Sequence, residues 1–114
     1  MLVSDNETWV IDTGDWVIRK KARDGKESLS PWERLIYCLW VADYAMRNGG
    51  SLDGAREFFG DVFTEGKDLA EQLAYPRTLN LFSKPLLGFE KAYLDAFDSV
   101  CAEIRAGEVP AIRN

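Results

Sequence analysis

Histidine is absent from this chain of 114 residues. Without an imidazole, Ser-His and Cys-His nucleophile pairs cannot form, and neither can a metal site that depends on histidine. Cysteine is scarce, and Cys38 and Cys101 are far apart in the sequence. Such isolated cysteines, in a chain without an export signal, are typical of reduced core residues. The chain also lacks a Gly-x-Ser-x-Gly motif and a dinucleotide-binding fingerprint. We therefore expect no metal, no cofactor and no catalysis by the common routes.

Long uncharged apolar runs are missing as well. No stretch reaches the length of a membrane-spanning helix free of charge. The first seven residues carry acids where a secretory signal would carry bases followed by an apolar run. We therefore predict a cytoplasmic protein without a membrane partner, and the length corresponds to a single domain over residues 1–114.

The most distinctive stretch is 31–47, which is apolar on most sides of a helix. Ser30 is placed to cap this helix, Pro31 suits its first position, and Glu33 is the third residue after the cap. Residues 48–50, Asn-Gly-Gly, then supply a stop signal. A helix this apolar cannot lie on a surface, so we predict that it is the central element of the fold.

The other periodic segments predict helices that enclose this central one. Ser51 is a candidate cap for a helix up to Phe63, and Thr64 for a third helix that ends at Tyr75-Pro76. Residues 77–82 are predicted as an apolar connector. A last helix is predicted from about Pro85 to Arg105, and its apolar stripe consists of Leu86, Phe89, Tyr93, Phe97, Val100, Cys101 and Ile104. The predicted fold is an all-α, compact bundle of four to five helices around the central apolar helix at 31–47.

The N-terminal part allows two alternatives. Residues 1–12 are predicted as a loosely held leader. Residues 9–11 and 16–18 could pair as a short hairpin, because the turn between them is rich in residues that tolerate special dihedral angles. Alternatively, Thr13 caps a helix from Gly14 to Asp24, which the composition of the basic segment favours.

Charge is unevenly distributed along the chain, whose net charge is −5. Residues 18–26 contain five basic residues against one acid, and residues 53–71 contain six acids against two basic residues. Overall acidity disfavours direct binding of nucleic acid and favours a cationic partner. A solvated face that only keeps the protein soluble would carry the same pattern. The candidate partner-binding residues are Asp53, Glu57, Asp61, Glu65, Asp68 and Glu71.

Asp43 is an anomaly, because its helical position lies among the apolar residues of the central helix. A buried carboxylate requires a partner, and Arg47 lies one turn later. Glu90 poses the same question on the last helix. The two acids could form a site for proton transfer or metal binding, or each could be held in a structural ion pair. The residues of this candidate pocket are Trp32, Trp40, Asp43, Tyr44, Arg47 and Glu90.

From Leu35 to Phe59 the chain resembles a family of small bacterial all-helical domains of largely unknown function. The shared feature is an apolar helix that runs into Asn48-Gly49-Gly50, followed by a short helix with aromatic residues, here Phe58 and Phe59. One group of that family acts as DNA mimics. The resemblance implies that carboxylates of residues 53–71 would occupy the DNA-binding surface of a regulator.

The sequence therefore favours a non-enzymatic binding or regulatory module whose acidic helical face contacts a basic surface of a protein partner. The alternative is a small-molecule or acid-only enzyme pocket around Asp43 and Glu90. Homodimerisation is a third alternative, because the central helix is more apolar than one small domain easily covers.

Overall fold

The regular structure of the protein is helical throughout the residues that the computed structural model describes, which are 5–49 and 61–107. We number the α-helices in chain order, and a short 3-10 helix, Lys26–Ser28, connects the first two. The all-α prediction is thereby confirmed. The helices are α1 (Asp5–Asp24), α2 (Pro31–Gly49), α3 (Val62–Gln72), α4 (Pro76–Phe82) and α5 (Leu86–Ala106).

Helix α2 is the central element, as predicted, and packs closely against α1 and α3. A capping box fixes its first turn: the Glu33 N–H donates to Ser30 Oγ at 3.1 Å, and the Ser30 N–H donates to Glu33 Oε1 at 2.7 Å. Beyond this cap, Leu35 and Leu39 are fully buried. The helix continues to Gly49, two residues further than its predicted apolar stretch.

The N-terminal segment is one long helix, so the hairpin alternative is wrong. Helix α1 buries Trp9, Val10 and Val17, whose spacing places them on one face that α2 and α5 cover. Thr13 is a buried residue inside the helix rather than its cap.

The predicted leader is also incorrect for residues 5–12, which form the first turns of α1. The physical reason is that Trp9 and Val10 lose their contact with water in the core, which offsets the cost of ordering these turns. Residues 1–4 lie outside the described residues.

A close approach between helices explains the glycine in the middle of α1. A Cβ atom built on Gly14 would lie 2.7 Å from Trp40 Cγ and 3.0 Å from Trp40 Cβ. The sequence suggested Gly14 as a turn residue or a helix start, but its role in the structure is to admit the Trp40 ring.

Helix α3 begins earlier than predicted. Its first residue is Val62, which is buried, and Phe63 contacts the rings of Phe82 and Phe89. Thr64 is therefore a helical residue rather than a cap, because the apolar contacts of the two preceding residues extend the helix. The predicted helix over 51–63 otherwise lies outside the described residues.

Residues 77–82 form part of helix α4 rather than a connector. Pro76 occupies the first position, and Leu81 and Phe82 are buried. The free N–H groups of the first turn find an acceptor on α5. The Glu103 carboxylate accepts the N–H of Arg77 at 3.1 Å and the N–H of Thr78 at 2.8 Å. It also accepts the Thr78 hydroxyl at 2.9 Å. A cap 25 residues away in sequence stabilises the short helix, so local patterns could not predict it.

We expect Glu103→Gln to lower the free energy of unfolding by about 1–2 kcal/mol, because an amide loses the charge and one of the two acceptor oxygens at the start of α4. Urea denaturation, followed by far-UV circular dichroism, measures the change in the free energy of unfolding. Glu27→Gln, at an exposed position, is the matched control and should change the value by less than about 0.5 kcal/mol. Equal values for the two variants would contradict the capping role.

Helix α5 confirms the predicted apolar stripe. Phe89, Tyr93, Phe97 and Ile104 are at most 4% exposed. Phe89 and Tyr93 stack with ring centroids 5.6 Å apart, and the Trp32 indole N–H donates to the Ile104 carbonyl oxygen at 2.9 Å.

Both cysteines are free thiols in the core, as the sequence indicated. Burial raises the pKa of the Cys101 thiol to about 12 and that of the Cys38 thiol further still. Neither side chain therefore has the thiolate character of a reactive cysteine.

Candidate functional site

Helix α3 carries the part of the predicted acidic face that the structure describes. Asp61, Asp68 and Glu71 are exposed, and their carboxylates form no ion pair within the described ranges. Seven residues separate the first two, which places them on the same side of α3, about 10 Å apart along its axis. Asp53 and Glu57 lie outside the described residues.

Glu65 differs from these three acids because its charge is neutralised within the fold. Arg34 Nε donates to Glu65 Oε2 at 2.9 Å, and Arg34 Nη2 donates to the same oxygen. Lys26 Nζ lies 3.6 Å from Glu65 Oε1. The carboxylate, 19% exposed, thus joins α3 to the first turn of α2. It contributes to packing between helices and offers little free charge to a partner.

A surface groove of about 410 Å³ runs beside this ion pair. Its lining includes the acids Asp61 and Asp68 and the cations Lys26 and Arg34. Because both cations already contact Glu65, the unneutralised charge along this groove is negative.

Four of the five cations of the basic segment 18–26 form ion pairs with acids of the same chain. Its most buried contact joins Lys20 Nζ to Glu33 Oε1 at 3.1 Å, and the Glu33 residue is only 1% exposed. The same Glu33 carboxylate caps α2, as the sequence predicts, whereas its ion pair with Lys20 is not predicted from the sequence. The other contacts are Arg19 with Asp15, Arg23 with Asp24, Lys26 with Glu65, and Lys21 over the ring of Tyr37.

Asp43 is buried, as predicted, and its partners are on two helices. Arg47 Nε donates to Asp43 Oδ1 at 2.8 Å, and the Tyr93 hydroxyl donates to the same oxygen at 2.5 Å. The Arg47 guanidinium also lies 3.7 Å from Glu7 Oε2 and 4.7 Å from the ring centroid of Phe97. The carboxylate is therefore compensated by a cation and a hydroxyl, and the cluster links α1, α2 and α5.

Burial raises the pKa of the Tyr93 phenol far above its ordinary value, and the negative charge of Asp43 raises it further. The phenol thus stays protonated and remains a donor to Asp43 at any ordinary pH. The sequence predicts that Tyr93 lies on the buried stripe, but it does not predict the bond from Tyr93 to Asp43. A buried phenol and a buried carboxylate each require a partner, which was the available signal.

Trp32, Trp40 and Tyr44 make their described contacts with residues other than Asp43. The Trp32 indole is buried and bonded to α5, whereas Tyr44 is 59% exposed and stacks on Trp40 with centroids 5.5 Å apart. Glu90 is partly buried on α5. The Asp43 carboxylate thus has the geometry of a structural ion pair with Arg47.

Comparison with protein-family models, with curated proteins and with solved structures finds no match. The resemblance to the helical domains that include DNA mimics therefore stays a prediction.

Among residues 5–49 and 61–107, no group of three or more Cys, Asp or Glu side chains is arranged to hold a metal ion. No helix there is both long and apolar enough to cross a membrane.

Proposed function

We propose that this chain is a non-catalytic binding module whose acidic face on α3 contacts a basic surface of a protein partner. The observation that carries the proposal is the contrast on α3 itself. The exposed carboxylates of Asp61, Asp68 and Glu71 form no ion pair with another described residue. Glu65, in contrast, forms ion pairs with Arg34 and Lys26.

Electrostatic complementarity of this kind guides association and selects partners by charge. The basic segment 18–26 does not neutralise the three exposed acids, because four of its cations form ion pairs with other acids of the same chain. A protein that normally binds a polyanion such as DNA would present a suitable surface, and this is the partner class that we propose.

The test uses a triple variant, Asp61→Asn with Asp68→Asn and Glu71→Gln. We expect it to bind a fluorescent poly-lysine peptide about tenfold more weakly than the wild type, because three surface charge pairs contribute a few tenths to one kcal/mol each. Fluorescence anisotropy at low salt measures this, and the difference should shrink as salt screens the charges.

The matched control removes the same number of acids elsewhere, by Asp12→Asn with Asp15→Asn and Glu27→Gln at exposed positions. Its affinity should change by less than about twofold. Equal losses for both triple variants would mean that net charge alone governs binding, and the proposal would be rejected. A cellular partner captured by the wild type but not by the α3 variant should be released by duplex DNA.

A further inference from the structure

The outer face of α5 carries the most exposed large apolar side chains among the described residues. Leu87 is 71% exposed and Leu94 is 63% exposed. They are seven residues apart, so they lie on the same side of the helix, about a quarter turn from the centre of the buried stripe. Lys91 lies between them on this side and is exposed. Burying two leucines on a face that already has a regular helical surface would favour association with another helix.

Charge along this face is separated by sign. The exposed cation Lys91 lies in the N-terminal half of α5, the exposed Lys84 precedes the helix and lies beside Gly88, and the exposed acids Asp95 and Asp98 lie further along the helix. Asp98 uses one oxygen to accept the Asn6 amide at 3.1 Å, which leaves its second oxygen available. A helix with this polarity repels a parallel copy, in which like charges face each other. It is complementary to an antiparallel copy.

We propose that this face of α5 binds the same face of a second copy of the chain, antiparallel and about a twofold axis near residue 91. In this arrangement Leu87 packs against the partner's Leu94, and Lys84 lies opposite the partner's Asp98. Lys91 lies beside the axis near the partner's Lys91, and the partner's Asp95, one helical turn away, offsets this like-charge contact. Such a contact is isologous and closed, so it ends at a dimer.

The location differs from what the sequence suggested for a homodimer. That expectation was based on an uncovered central helix, but Leu35 and Leu39 of α2 are fully enclosed by the chain's own helices. The α5 face is also separate from the acidic face of α3, so the two proposals can fail independently.

The helical part of the contact, residues 86–98, spans about 18 Å, which is small for a permanent dimer. We therefore expect reversible dimerisation with a dissociation constant of about 10–100 μM. Sedimentation velocity over a concentration series should show the weight-average mass rising towards twice the monomer mass of 12.9 kDa. A monomer at every concentration up to about 1 mM would overturn the proposal.

Leu94→Glu should abolish the dimer, whereas Ile11→Glu, at a position 49% exposed on α1, should leave it unchanged. Thermal melts of both variants confirm that they fold. A dimer that persists in Leu94→Glu would overturn the proposed face.

Charge reversal tests the polarity of the contact. The acidic variant, Lys84→Glu with Lys91→Glu, and the basic variant, Asp95→Lys with Asp98→Lys, should each be monomeric. An equimolar mixture of the two should form a heterodimer, because one face is then wholly acidic and the other wholly basic. A mixture that remains monomeric would contradict the charge pairing.

Cross-linking tests the direction. Cysteine in Lys91→Cys lies near the twofold axis and should form an intermolecular disulfide under mild oxidation. Cysteine in Ala102→Cys should not, because the two copies would be about 33 Å apart along the helix axis. The native cysteines are buried and do not interfere. Equal cross-linking at both positions would indicate a parallel pair and overturn the antiparallel arrangement. The triple variant of α3 should dimerise normally, which separates this contact from the proposed partner binding.

Discussion

Replacing Asp43 with alanine should lower the free energy of unfolding by about 3–4 kcal/mol, the largest effect that we expect from any single polar residue. The carboxylate accepts bonds from Arg47 and Tyr93, and its removal leaves a buried phenol without an acceptor and a cation without its closest partner. Arg47 can still turn towards Glu7, which limits the loss. Thermal denaturation should show a melting temperature lower by about 10 °C or more.

Asp95→Ala is the control for this experiment, because that acid is exposed on α5 and its removal should cost less than about 0.5 kcal/mol. A double-mutant cycle of Asp43→Asn with Tyr93→Phe should give a coupling energy of about 1–3 kcal/mol. Additive effects would mean that the Tyr93 bond contributes nothing. If Asp43→Ala instead retained full stability and lost binding of the poly-lysine peptide, a direct role for Asp43 in recognition would replace the structural one.

Gly14→Ala should destabilise the fold by about 1–3 kcal/mol, although alanine is the better helix former by about 1 kcal/mol. The added methyl group would lie within 3.0 Å of three atoms of the Trp40 side chain, which is held by stacking on Tyr44. Gly66→Ala in α3 should act in the same direction, because its Cβ would lie 2.6 Å from the buried Phe82 ring.

Gly88→Ala is the matched control, and its expected effect on stability has the opposite sign. Its nearest neighbour would be Lys84 Cβ at 3.5 Å, an ordinary contact, so this variant should be more stable by about 0.5–1 kcal/mol. Urea denaturation of the three variants separates helix propensity from packing. If Gly14→Ala instead had a higher free energy of unfolding than the wild type, α1 and α2 could move slightly apart without losing stability.

The sequence predicted the helical class, the central helix and the buried stripe of α5, because each depends on periodicity within one segment. The pairing of Asp43 with Arg47 was predictable for the same reason, since four residues separate them on one helix. What the sequence could not predict depends on residues distant along the chain. The helical state of α4 requires Glu103, and the length of α1 requires the neighbours that bury Trp9.

The acidic face also has one property that the sequence predicts and one that depends on residues distant along the chain. Its six carboxylates were visible as a run of charge, but the sequence could not separate Glu65 from Asp61 and Asp68. That separation depends on Arg34, which lies 31 residues earlier than Glu65. Charge counts along a sequence describe what a segment carries, and only the fold decides which charges remain for a partner.

The bond between Tyr93 and Asp43 spans 50 residues and has a consequence for synthesis on the ribosome. The first two helices can pair as soon as they leave the exit tunnel, because their contacts are close in sequence. Asp43 then remains hydrated, and the adjacent apolar side of α2 stays open, until the last helix is translated and supplies the phenol. Translation of α5, rather than formation of the first helical pair, therefore closes the core around Asp43.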